Sequence, residues 1–111
     1  MNELETIVAT LGVERSANLF HSILPLLNIR RHELLECLNK QDYAGAAHYA
    51  HNLLATGHLL ASKTLLDQLM LIERCDPTLI QTPDFIQKLD AELAASLQRL
   101  TQYSKSMRPN L

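Results

Sequence analysis

Three of the chain's five histidines fall in one stretch, DYAGAAHYAHNLLATGHLL, at His48, His51 and His58. Near neutral pH an imidazole serves as nucleophile, proton carrier or metal ligand, and its neighbours decide which. Spacings of three and seven put these histidines on one face of a helix. No His-Glu-x-x-His pattern and no carboxylate at ligand spacing completes a metal site, so none is expected. At about 100° per residue, such a helix turns Ala46, Ala50, Leu53, Gly57 and Leu60 toward a core and directs His51 away from it. Within about 60° of His51 on that wheel lie Ala44, Ala47, His48, Leu54, Ala55 and His58. Half of them are alanines, which bury almost no surface of their own. Such a ring suits a histidine that another protein has to reach. Alanine also occurs in helices for propensity alone, so the register of the surrounding sequence must discriminate. His21 and His32 have no neighbour at useful spacing and read as surface residues, and Arg30-Arg31 reads as a solvated charged patch.

The elements that must position His51 are predicted to be helices. Only three glycines and four prolines occur in 111 residues, against many Leu and Ala, which favours helix over strand. No segment alternates with period two, whereas helical spacing recurs in four long segments. From about Glu14 to Asn39, Phe20, Leu24, Leu27, Leu34 and Leu38 share a stripe, with a kink or break expected at Pro25. Asp42 is the expected N-cap of a helix running to about Leu60, ahead of an Ala61-Ser62 corner. Ser62 caps a third helix carrying Leu65, Leu69 and Ile72, which ends near Cys75. Thr82-Pro83 opens the last, whose stripe is Leu89, Leu93, Leu97, Leu100 and Tyr103. A short helix from Asn2 to Leu11 precedes them, and the tail from Met107 is expected to fray. The expected fold is one all-α domain over residues 1–111. It is an up-and-down antiparallel four-helix bundle with the short additional N-terminal helix packed across one end.

Composition excludes several function classes. A hydrophobic content of 47% supplies one core without help from a metal or disulfide. Cys37 and Cys75 lack metal-ligand or redox spacing and read as reduced, partly buried thiols of a cytoplasmic protein. No apolar run approaches the ~20 residues of a membrane span. A net charge of -2 with both signs interspersed gives no reason to expect nucleic acid or an anionic membrane as partner. There is no glycine-rich nucleotide loop.

From Leu19 to Glu73 the chain resembles the histidine-containing phosphotransfer (HPt) family. Ala50-His51-Asn52-Leu53 matches the core of that family's signature. Glu33-Leu34-Leu35, Leu38, Asp42, Ala46 and Ala47 match its approach, and Leu60-Ala61-Ser62, Leu65, Leu69 and Glu73 its downstream spacing. The resemblance implies that His51 accepts a phosphoryl group and that Ala44, Ala47, His48, Leu54, Ala55 and His58 form the docking face. The implied partners are the receiver domain of a response regulator and a hybrid histidine kinase. It implies no cofactor of the chain's own; the magnesium belongs to the partner receiver. The chain would be a phosphoryl carrier rather than a turnover enzyme. Where the family usually has lysine and glycine, three and four residues after the histidine, this chain has Leu54 and Ala55. An exposed charge pair contributes ~0.2 to 1 kcal/mol, so losing that lysine is expected to slow transfer severalfold. Lys63, just beyond the corner, is a candidate replacement for the missing charge. Two alternatives remain open at this stage. One is a degenerate HPt-like domain that binds receiver or kinase domains without accepting phosphate. The other is a helical interaction module whose alanine face takes a partner helix.

Overall fold

The computed structural model describes residues 3–60, 62–74 and 77–106. All regular structure among the described residues is helical: α1 (Glu3–Leu11), α2 (Val13–Asn39), α3 (Tyr43–Ala55), α4 (Gly57–Leu60), α5 (Lys63–Glu73), α6 (Pro77–Ile80) and α7 (Pro83–Ser106). The all-α class follows from the periodicity that the sequence carries. Met1, Asn2, Ala61, Cys75 and the tail from Met107 lie outside the described residues.

Three helix boundaries are set by side-chain caps where the sequence places them. Asp42 accepts a hydrogen bond from the Gly45 backbone N–H at 3.0 Å. Ser62 accepts from Leu65 N–H at 3.1 Å, and Thr82 from Phe85 N–H at 3.2 Å. Each satisfies one of the donors that a helix start leaves unpaired. Three expectations need correction. The helix begun at Asp42 does not run unbroken to Leu60: it turns at Thr56, whose backbone N–H and hydroxyl both bond to the Leu53 carbonyl. By folding back on the Leu53 carbonyl, Thr56 divides α3 from α4. Pro25, conversely, does not interrupt α2, which stays helical from Val13 to Asn39. The short α6 before Pro83 was not anticipated at all.

The turn between α2 and α3 is tight. Asp42 N–H bonds to Cys37 O at 2.8 Å and Gln41 N–H to Leu38 O at 3.1 Å, the paired bonds of a Schellman ending. Gln41 there takes φ 60°, the left-handed conformation that glycine adopts without a Cβ penalty. Gln41→Gly is therefore expected to stabilise the fold by about 0.5 to 1 kcal/mol, less than the full left-handed penalty because glycine also loosens the unfolded chain. A urea melt would read this as a higher midpoint at unchanged slope, and an unchanged midpoint would contradict it.

The core is one cluster. Phe20, Leu27, Leu34 and Leu38 from α2 meet Ala46, Ala50 and Leu53 from α3, Leu65, Leu69 and Ile72 from α5, and Leu89, Leu93, Leu97 and Leu100 from α7. Side-chain contacts fix the helix directions. Phe20 meets Tyr103 edge-on with ring centroids 6.2 Å apart, while Arg31 pairs with Asp90, so α2 and α7 run antiparallel. That pair corrects the reading of Arg31 as solvated: its Nε donates to Asp90 at 3.1 Å and its Nη2 at 2.5 Å, across the two helices. α3 with the following α4 runs antiparallel to α5, since Gly57 at the start of α4 lies against Leu66 and His51 on α3 against Glu73. α1 packs on α2 and on α4, with Leu4 buried. Arg99 on α7 donates to the Leu60 carbonyl at 2.8 Å and so ties α7 to the end of α4.

Cys37 is half-buried in the α2–α3 turn, beside Asp42 and Gly45. Burial, reinforced by the Asp42 carboxylate, pushes its thiol above the ordinary range. The reactive thiolate is thus scarcer at neutral pH than for a free cysteine. Peptide mapping after iodoacetamide treatment should find Cys37 modified more slowly than a small thiol, with the rate still rising at pH values where the small thiol has levelled off. Equal rates at neutral pH would refute this.

Candidate functional site

The inner side of α3 lies as the wheel predicts: Ala46, Ala50 and Leu53 are fully buried, and Gly57 and Leu60 at the start and end of α4 are buried too. Two of the three inner residues of α3 are alanines, so the helix sits close against its neighbours. His51, roughly opposite this side, projects into solvent with 70% of its side chain exposed. Around it, Ala44, His48 and Ala55 are exposed, and Ala47 and Leu54 are half-buried on the flank toward α5. The His58 side chain lies outside the described residues. His48 is engaged along its own helix: its ring meets Tyr49 edge-on at 5.4 Å, and its Nε2 lies 3.4 Å from the Asn52 amide nitrogen. No group of three or more His, Cys, Asp or Glu side chains is placed to hold a metal among the described residues. No helix among them is long and apolar enough to cross a membrane.

The sequence reading missed what α5 brings to the histidine. Glu73 Oε1 lies 3.5 Å from His51 Nδ1. This contact sets a carboxylate beside Nδ1, which leaves Nε2 as the ring nitrogen without a carboxylate near it among the described residues. Beside the pair opens a shallow groove of about 380 Å³ lined by Leu54, Met70, Glu73 and Arg74. Met70 is 44% exposed, so the groove offers apolar surface to solvent. The signal for these residues was present in the sequence. His51 and Glu73 each stand eleven residues from Ser62, and Leu54 and Met70 each eight, so an antiparallel pair folded at that corner brings each couple level.

Lys63 does not serve the histidine. It opens α5, ten residues before Glu73, and a helix rises about 1.5 Å per residue, so Lys63 sits roughly 15 Å from the site along the axis. Its ammonium faces Asp67 at 4.0 Å instead.

The surface around His51 thus combines a solvent-facing imidazole, a carboxylate near one ring nitrogen, the small side chains of Ala44, Ala47 and Ala55, and a partly apolar groove. Such an arrangement is able to present a nucleophilic nitrogen to a second macromolecule, and the groove beside it is open to solvent. Compared with protein-family models, curated proteins and solved structures, the chain returns no significant match.

Proposed function

We propose that the chain is a cytoplasmic histidine phosphotransfer protein, in which α2, α3, α5 and α7 form an up-and-down four-helix bundle and His51 relays a phosphoryl group. The observation that carries this reading is the placement of His51: mid-helix, 70% exposed, with the Glu73 carboxylate 3.5 Å from Nδ1. In the proposed step, Nε2 attacks the phosphorus of an aspartyl phosphate on a receiver domain. The N–P bond forms, the P–O bond to the aspartate breaks, and the carboxylate leaves with the electron pair. Because Nδ1 keeps its proton, the phosphorylated ring carries positive charge, which the Glu73 carboxylate stabilises. The receiver supplies the magnesium and the activated phosphate; this chain supplies position, and phosphoryl transfer depends chiefly on position and charge. Ala44, Ala47 and Ala55 let the receiver come close, and the groove at Leu54 and Met70 takes apolar side chains at the rim of the same contact. Transfer in the reverse direction, from a hybrid histidine kinase onward to a response regulator, uses the same geometry.

The second reading, receiver binding without phosphate acceptance, is favoured by Leu54, an apolar residue beside the nucleophile where a cation would assist transfer. Radiolabelled receiver domains from the same genome, mixed with the wild-type chain, separate the two. Acid-labile, base-stable label on the peptide containing His51 is the expected result. Receivers that bind the chain yet leave it unlabelled would establish the second reading instead.

A further inference from the structure

Once His51 carries phosphate, the site holds two sources of negative charge, the phosphoryl oxygens and the Glu73 carboxylate 3.5 Å from the ring. The Glu73 carboxylate answers the positive charge of the phosphorylated ring, so the phosphoryl oxygens on Nε2 still need a cation of their own. The helix bearing His51 offers none in α3, whose sequence YAGAAHYAHNLLA contains neither lysine nor arginine. Lys63 is remote and faces Asp67. Arg74 is the cation at this place: it follows Glu73 directly, caps the C-terminus of α5, and lines the groove beside His51 together with Leu54 and Met70. It also borders the adjoining groove formed by Asp67, Met70 and Leu71. No carboxylate of the described residues forms an ion pair with Arg74, in contrast to Arg31, which Asp90 holds. A guanidinium with no ion-pair partner among the described residues, on a flexible stem at the rim of a nucleophile's groove, is suited to binding phosphate oxygens in a two-pronged contact.

We infer that Arg74 is the phosphoryl-binding residue of this site, reaching across from α5 to neutralise the phosphate on His51. The inference rests on the phosphotransfer reading for its biological use, but its chemistry is accessible without any partner. Phosphoramidate is the probe: its P–N bond breaks, ammonia leaves after taking a proton, and the phosphoryl group forms its new bond to His51 Nε2. The His51 product is identified by its absence from His51→Gln.

A plain structural role, a cation at the negative end of α5, would change thermal stability alone. A phosphate-binding role changes the phosphohistidine itself. In a 31P titration, Arg74→Ala should move the last ionisation of the phosphate to higher pH, because the dianion loses its cation. The expected size is a few tenths of a unit, roughly. Phosphorylation at low ionic strength should slow by roughly two- to fivefold, and the difference should shrink in high salt. Arg74→Lys should behave nearly as wild type, and Arg74→Glu worse than Arg74→Ala. Leu54→Lys, one helical turn from His51 and lining the same groove, should restore the titration when combined with Arg74→Ala. If the titration and rates of Arg74→Ala and Arg74→Glu coincide with wild type, the inference is wrong, even where receivers label His51 normally. If the Arg74 effects appear with phosphoramidate while no receiver labels the chain, the inference stands and the relay reading falls.

Discussion

His51→Gln is expected to reduce phosphoryl acceptance from any receiver to background, a loss of at least a hundredfold, while leaving the thermal unfolding of the chain almost unchanged. The two halves of this expectation have separate physical grounds. Glutamine has no ring nitrogen with a nucleophilic lone pair, so the N–P bond cannot form. The stability half follows from exposure: a side chain 70% in solvent, whose one close partner is the partly exposed Glu73, contributes little to folding. Glutamine also preserves helix propensity. Label retained by His51→Gln would place the acceptor elsewhere, with His48 the next histidine along the helix.

The adjacent leucines Leu53 and Leu54 should separate folding from function. Leu53 is fully buried between α3 and the other helices, and its replacement by alanine removes a core side chain that has no room to be compensated. A loss of ~2 to 5 kcal/mol is expected, against a total stability of roughly 5 to 15 kcal/mol for a domain. In urea the midpoint should fall by an amount on the order of 1 to 2 M. Leu54 is half-buried and lines the groove beside Glu73. Leu54→Ala should cost on the order of 1 kcal/mol or less yet weaken receiver docking. Comparable destabilisation by the two variants would mean that Leu54 belongs to the core and that the groove is not a docking surface.

The contrast between these leucines also marks where the sequence was legible. A 3.6-residue period assigns Leu53 to the inside and His51 to the outside because burial along one helix is a local property, readable from neighbours three and four positions away. Caps at Asp42, Ser62 and Thr82 were readable for the same reason: each is a side chain bonding three residues ahead. What was missed depends on distance in sequence. Glu73 reaches His51 across a helix pair, and Arg31 finds Asp90 across another. No local pattern signals such partners. Pro25 and Thr56 reversed the usual reading for a related reason. Tertiary packing holds α2 helical through a proline, while a threonine bonding back to the Leu53 carbonyl ends α3 where propensity alone predicts continuation.

α1 joins the rest of the chain through Gly12, at φ 87°, and packs chiefly on α2 and α4. His51 and Glu73 sit on other helices, α3 and α5, beyond the Thr56 turn from α4. The two regions are therefore separable in time. Amide protons of α1 should exchange with deuterated water well before those behind His51, and a protease nick at Gly12 should leave the helix pair bearing His51 and Glu73 folded.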